Sequence, residues 1–482
     1  MSGYLHAAWD WLDRIPYLGL ILVLAWLGYI LGLGVWIVLQ KREPVATLSW
    51  VMSLALLPYV GFLIYFLLGP QRIKRQRLRR GRSRTGMTRY SDVCAADDAC
   101  VELARVGQAT TGLPPSTAYS AQWLVDGHAT YAALLEAIEA ADHHIHLEYY
   151  IWKPDRTGLR LLDALARRAR AGVHVRLLLD AVGSAGLKAR HLRALVEAGG
   201  EFSWFHPTRF RPFTRPWVNL RTHRKIAVVD GKVGFIGGVN VTDDQDETLA
   251  PQAFRDLHLR VDGAVVRSLQ LAFVEDWVYA AGADPAGFDD RHYWPAHEPG
   301  PVLAQLLVSG PDSSWEAIHR LYVAAIHEAR QRVWVVTPYF VPGEAARMAL
   351  TSAALGGLDT RLLVPRRSDS RLVTLAARSY FDELVQAGVQ VYEYAGPRML
   401  HTKALLTDDH LCIVGSANFD YRSFRLNFEA SMMVRDTEAC ASLARLLEAE
   451  FAAASRVRPD RPCGLWRHRL PESLARLLSP LL

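Results

Sequence analysis

Cysteine is scarce: five residues in 482, at positions 94, 100, 412, 440 and 463, with no C-x-x-C pair among them. An odd and dispersed set supports neither a disulfide framework nor a zinc cluster, and it fits a reducing compartment. Charge is scarce too, at 22% of residues against 50% hydrophobic, which is little for a soluble protein. The net charge of +6 is concentrated in one place: residues 71–84 (QRIKRQRLRRGRSR) hold eight Lys/Arg and no acid, leaving −2 for everything else. This excludes a generally basic, nucleic-acid-coating surface. The length excludes a small stapled scaffold and allows more than one domain.

Two long stretches lack charge altogether, residues 17–39 (YLGLILVLAWLGYILGLGVWIVL) and 45–69 (VATLSWVMSLALLPYVGFLIYFLLG). At a rise of about 1.5 Å per residue each can cross a hydrocarbon core of about 30 Å. With only QKREP between them, residues 1–70 are expected to form a two-span transmembrane hairpin. The first run is too long for a cleaved signal peptide, and no small-residue cleavage site follows it. The basic run after the second span places residue 70 onward, and the amino terminus, in the cytoplasm. Residues 71–120 then read as a basic juxtamembrane segment and linker, the basic part able to hold anionic headgroups.

Beyond residue 120 the chain repeats itself. VHVRLLLD (173–180) has a counterpart in LDTRLLVP (358–365), and HLRALVEAGGEFSWF (191–205) in YFDELVQAGVQVYEY (380–394). Each copy reads as a strand, a helix closed by Ala-Gly and another strand. Two α/β halves are expected, 121–290 and 301–482, joined by the Pro- and Gly-rich stretch around 281–301. Each half ends its repeat with the same polar pattern, H-x-K-x4-D-x6-G-x2-N. The first copy gives His223, Lys225, Asp230, Gly237 and Asn240, the second His401, Lys403, Asp408, Gly415 and Asn418. A His and a Lys two apart share one face of a strand, and Asp-Gly at 230–231 reads as a hairpin turn. Packing the halves about a twofold would bring both imidazoles and both ammonium groups together.

The doubled motif resembles that of the phospholipase D superfamily from about residue 120 to 455. More local stretches are similar to bacterial cardiolipin synthases: the paired spans, WVNLRTHRK, FRDLHLRVDG, NFDYRSFRLNFE and the closing LARLLSPLL. One departure is Gly238, where the general superfamily pattern often has Ser; the second copy keeps Ser416. The resemblance implies an α/β fold of two similar phospholipase D-like halves with mixed sheets flanked by helices. It also implies a site of His223, Lys225, Asp230, His401, Lys403 and Asp408, supported by Asn240, Asn418, Ser416, Asp256 and Glu429. Asp256 and Glu429, each downstream of its own half's histidine, are expected to hydrogen-bond the far imidazole nitrogens. Asp230 and Asp408 read equally well as turn residues, and Asn240 and Asn418 as phosphate contacts or braces of the Gly turn.

Phosphodiester transfer needs a nucleophile, a proton for the leaving alkoxide and positive charge on the nonbridging oxygens. One neutral imidazole can attack and the other act as acid and then base, while the lysines supply the charge. Neither a metal nor a cofactor is implied. The expected reaction joins two phosphatidylglycerol molecules through a phosphohistidine, with His223 as nucleophile, at the bacterial plasma membrane. A hydrolase, a transferase using another phospholipid or alcohol, a nuclease and a non-catalytic scaffold are the rivals; no nucleic-acid partner is expected. The loop HPTRFRPFTRPW (206–217) and the final RHRLPESLARLLSPLL read either as lipid-facing or as packed on the domain.

Overall fold

In the computed structural model, which describes residues 17–39, 47, 48, 51, 52, 101–207, 219–313, 315–461 and 464–479, the first uncharged segment is helix α1 (Leu18–Val38). Its stretch Gly19–Ile37 is long and apolar enough to cross a membrane. Most of the second expected span, the basic run 71–84 and all of the loop 206–217 beyond Pro207 lie outside the described residues.

Part of the expected linker 71–120 is instead ordered structure. Helix α2 (Val101–Thr111) buries Leu103 and Ala104, and strand β1 (Ser116–Ala118) pairs antiparallel with Val302–Ser309 of the second half. The Gln305 side-chain amide ties this segment down by donating to Ala104 O (3.1 Å) and Leu113 O (3.0 Å). A three-residue strand whose partner lies far along the chain leaves no local periodicity to read.

The first half runs β2 (Ser120–Val125), α3 (Asp126–Glu139), β3 (His144–Tyr149), α4 (Arg156–Arg170), β4 (His174–Asp180), α5 (Ala189–Glu197), β5 (Glu201–Phe205), β6 (Lys225–Val229), β7 (Val233–Gly237), β8 (Leu257–Asp262) and α6 (Val266–Ala281). The second runs β9 (Val302–Ser309), α7 (Ala317–Glu328), β10 (Arg332–Val336), β11 (Phe340–Val341), α8 (Glu344–Leu355), β12 (Asp359–Pro365), α9 (Arg371–Arg378), α10 (Phe381–Gln386), β13 (Gln390–Tyr394), β14 (Ala404–Thr407), β15 (Leu411–Gly415), β16 (Phe419–Asp420), α11 (Tyr421–Arg425), β17 (Glu429–Arg435), α12 (Thr437–Ala452), β18 (Ala454–Arg456) and α13 (Leu470–Leu477). Sheet order is β2-β8-β7-β6-β3-β4-β5 in one half and β9-β17-β15-β14-β10-β12-β13 in the other. The two orders match strand for strand: the first four neighbouring pairs are antiparallel and the last two parallel in both. β1 and β18 extend the edges of the second sheet.

Strands buried on both faces read as near-continuous apolar runs, and KIAVV of β6 and ALLT of β14 are buried throughout. The outer face of the first sheet packs Ile145, Leu147 and Leu177 against Leu134, Leu161 and Leu192 of its helices. Val333, Val335 and Leu362 pack against Leu321, Leu350 and Leu384 in the second. Between the sheets one apolar cluster is shared: Ile226, Val228, Ile236 and Leu259 from one side meet Ala404, Leu406, Val414 and Met432 from the other, with Leu269 of α6 and Leu443 of α12. Burying apolar surface in common makes the halves one folding unit. Helix α13 docks through buried Glu472 and Ala475 while leaving Leu474 and Leu477 exposed, so it combines features of both readings of the terminus.

The hairpins β6–β7 and β14–β15 turn at Asp230 and Asp408, each in the left-handed region (φ 53° and 52°) that Asp tolerates better than most residues. Their carboxylates bind the start of the neighbouring central strand. Asp230 accepts from the backbone N–H groups of Asp142, His143 and His144 at 2.8 Å each. Asp408 accepts from Arg330 (2.9 Å), Gln331 (2.8 Å) and Arg332 (3.1 Å). Asp230→Ala and Asp408→Ala are therefore expected to lower stability by roughly 1–3 kcal/mol, the cost of orphaned donors, with turnover of the folded fraction retained. A lost turnover with an unchanged melting midpoint would assign them to chemistry instead.

Candidate active site

His223 and Lys225 enter the first sheet at the start of β6, and His401 and Lys403 precede β14 in the second. The halves are stitched together at these points. His223 N–H donates to Phe428 O (2.8 Å) and Phe428 N–H to Arg221 O (2.9 Å). Across the pseudo-twofold, His401 N–H donates to Arg255 O (2.7 Å) and Arg255 N–H to Met399 O (2.8 Å). Each motif histidine thus lies beside the residue that precedes the other half's acid.

The acids consequently cross over. His223 Nδ1 lies 3.0 Å from Glu429 Oε2 and 3.1 Å from Oε1, and His401 Nδ1 lies 2.5 Å from Asp256 Oδ2. The association of each acid with the histidine of its own half is corrected here: what lies downstream in sequence faces the opposite half in space. With Nδ1 held by a carboxylate, Nε2 is the nitrogen of each ring left for substrate.

The supporting groups differ between halves. Ser416 Oγ donates to Glu429 Oε2 (2.5 Å), and Asn427 Nδ2 donates to Oε1 (3.1 Å). Gly238 occupies the place of Ser416, and a Cβ there would lie 2.2 Å from Asp256 Oδ1. A longer acid is braced by a hydroxyl, whereas the shorter one needs the space that glycine leaves.

Lys225 Nζ donates to His223 O (2.6 Å), and Lys403 Nζ lies 2.8 Å from His401 Nδ1 and 3.8 Å from Asp256 Oδ2, also reaching His401 O. Burial pushes Lys225 down to about 7, with Glu429 opposing and Lys403 adding to the effect. Burial likewise pushes Lys403 down to about 8, against the pull of Asp256 and Glu429. Burial lowers His223 to about 4 despite Glu429, and lowers His401, with Lys403 contributing. Burial alone would raise both acids. Lys403 and His401 outweigh it at Asp256, and His223 and Lys225 do so at Glu429, holding both below the usual carboxylate range. The resting state pairs neutral imidazoles with ionised carboxylates. Such an imidazole can attack phosphorus, and ammonium groups in a water-poor site stabilise the charge that develops.

Not every residue singled out from the sequence gathers here. Asp230 and Asp408 lie at the far ends of their hairpins, with six residues of chain between each and the motif histidine of its half. Asn240 is locked in place: its Oδ1 accepts from Ile151 N–H (3.2 Å), its N–H donates to Gln245 Oε1 (2.7 Å), and its carbonyl accepts from Tyr131 Oη (2.5 Å). Asn418 donates its N–H to Ser423 Oγ (3.1 Å), and its buried Oδ1 has no partner among the described residues.

Other residues were missed. Thr222 is held through its Oγ1 by Glu148 Oε1 (2.5 Å) and through its N–H by Asp180 Oδ2 (3.1 Å), which fixes the approach to His223. The Tyr150 ring meets His223 edge-on at 5.0 Å, with Lys225 Nζ 5.4 Å from the same ring. Acids closing the buried strands HIHLEY and HVRLLLD were the available signal.

Comparison with known proteins agrees with this geometry. Residues 134–248 and 322–453 match the family described as "Cardiolipin synthase, PLD-like domain", and residues 27–70 match "Phospholipase D-nuclease N-terminal". The cardiolipin synthase of Geobacillus thermodenitrificans is 39% identical over 92% of this chain and 90% of its own length. The chain belongs to the cardiolipin synthase family. The family's Halalkalibacterium halodurans member is 36% identical over 95% of both chains. A phosphatidylserine synthase of Haemophilus influenzae, at 15% identity, shares the fold with a TM-score of 0.62 over 79% of this chain and 100% of that one.

Two measurements test the site. Glu429→Gln and Asp256→Asn keep the shape of each acid but not its charge, and each is expected to slow transfer on the order of 10²–10⁴-fold. Glu429→Gln should mimic the histidine variant of the first half, not the second. In a pH profile of kcat/KM, which reports the free protein, the rate should fall as pH rises through about 7 to 8, as the lysines lose protons. It should fall again toward about 4, as His223 gains one. A profile flat over the lysine range would remove their charge from the reaction.

Proposed function

We propose that the chain makes cardiolipin from two phosphatidylglycerol molecules, releasing glycerol, with a phosphohistidine between the two steps. The observation that carries this is the crossed pair of carboxylate-held imidazoles flanked by two buried lysines. The family match over nearly the whole length supports the choice of phospholipid substrates.

In the first step His223 Nε2 forms a bond to phosphorus while the bond to the glycerol oxygen breaks. That oxygen leaves with a proton from His401, whose basicity rises when an anionic phosphodiester enters. Lys225 and Lys403 hold the nonbridging oxygens, and the amide Nδ2 of Asn418 is the side-chain atom that can donate to the same groups. In the second step the terminal hydroxyl of another phosphatidylglycerol attacks phosphorus and passes its proton to His401, and the phosphorus–nitrogen bond breaks. Water in place of the alcohol would give phosphatidic acid, so closure against water decides between transfer and hydrolysis. His401 as nucleophile with His223 as acid/base is the mirror-image assignment.

The lipid setting follows from the uncharged α1 and the matched amino-terminal region. A multi-pass anchor in the bacterial plasma membrane with a cytoplasmic catalytic part is the reading that the basic run at 71–84 supports.

Detergent-solubilised full chain incubated with phosphatidylglycerol and chelator is expected to give cardiolipin and glycerol in equal amounts. His223→Ala and His401→Ala should each cut the rate by about 10³-fold or more. Labelled phosphate should be trapped on the peptide containing His223; label on His401 alone would reverse the assignment. Phosphatidic acid as sole product would identify a hydrolase.

A further inference from the structure

At the end of the first sheet opposite the reacting histidines, β3 and β4 open in a cluster of imidazoles. His143, just before β3, lies with its ring centroid 5.2 Å from that of His174 in β4 and 5.1 Å from that of His292. His292 lies in the short turn Arg291–Tyr293 of the connection between halves. Asp290 caps this turn, its Oδ1 accepting from His292 N–H (2.9 Å) and contacting His292 Nδ1 (2.7 Å). The other oxygen, Oδ2, lies 3.8 Å from His143 Nε2. One donor atom from each of His143, Asp290 and His292 falls within 4.8 Å of the other two.

We propose that His143, Asp290 and His292 bind one divalent first-row transition metal, with Zn²⁺ the best fit, and that this metal staples the connection between the halves to β3. Two imidazoles and a carboxylate suit zinc better than the oxygen-seeking calcium or magnesium. Tetrahedral zinc with bonds of about 2.0–2.2 Å sets its donors about 3.4 Å apart. The 3.8 Å between His143 and Asp290 is already close to that, and Asp290 and His292 are exposed, free to rotate the remaining fraction.

The surroundings are those of a metal site. A ligating imidazole is normally oriented through its other nitrogen, and His143 Nδ1 meets His144 Nδ1 at 3.0 Å, which turns Nε2 toward Asp290. Tyr293, next to the ligand His292, is buried and bonds His174 Nδ1 through its hydroxyl (2.7 Å), fixing the turn on the sheet. The fourth position is left for water or His174. This site is separate from the transfer reaction: β3 pairs its far end, Tyr149, with Lys225, so about 20 Å of strand intervenes.

Full chain in detergent, stripped with chelator, is titrated with ZnCl₂ and with Co²⁺ while melting and visible absorption are followed. One equivalent should bind, raise the melting midpoint reversibly, and give with Co²⁺ the absorption of a tetrahedral nitrogen–oxygen site. His143→Gln and His292→Gln should each weaken binding at least tenfold, and Asp290→Asn should weaken it too. Their metal-free melting should match that of the metal-free parent, and His410→Gln, an exposed histidine elsewhere, should bind as the parent does. Absence of saturable one-equivalent binding in the parent would overturn the proposal. So would parent-like affinity in both His143→Gln and His292→Gln.

Discussion

The site depends on a carboxylate reaching across a seam. Neither half brings a complete imidazole–acid pair to the site; His223 is oriented by Glu429 and His401 by Asp256. The reach is held by backbone hydrogen bonds on both sides of the seam and by the apolar core that the two sheets share. Hydrophobic burial between sheets and tautomer control at the histidines are therefore one constraint. A shift of the halves by an ångström would separate the acids from the rings before it exposed much apolar surface.

Two lysines, two histidines and two acids are buried together, an arrangement that proteins tolerate only where the charges are matched. With both imidazoles neutral the two ammonium groups balance the two carboxylates, and it is burial that depresses the basicity of Lys225 and Lys403. An incoming phosphodiester adds a negative charge that favours the protonated form of both lysines. The site is thus least comfortable when empty, and its electrostatics favour an anionic ligand over a neutral one of the same shape.

Much of this is legible in the sequence because it is local or repeated. The spacing shared by His223–Asn240 and His401–Asn418 gives the hairpins, and the repeated 173–205 and 358–394 segments give the two sheets. What eludes sequence reasoning depends on packing. Which acid serves which histidine is decided by the pseudo-twofold, so counting residues from His223 to Asp256 points to the wrong partner. Strand β1 has three residues and a partner nearly two hundred positions away, and so it reads as linker. Asp230 and Asp408 are motif letters whose spacing is fixed for a different reason. They mark where each hairpin turns, and their carboxylates serve backbone N–H groups far from the reacting atoms.

The unequal bracing of the two acids, Ser416 with Glu429 and Gly238 with Asp256, has a consequence for ancestry. Two identical half-length chains paired about a true twofold would form the same crossed dyads, but every change at one histidine would be copied at the other. Joining the halves in one polypeptide lifts that symmetry. Each copy can then drift toward its own task, one ring becoming the better nucleophile and the other the better proton carrier, without either duty compromising the other. Glycine on one side and serine on the other record that divergence having begun.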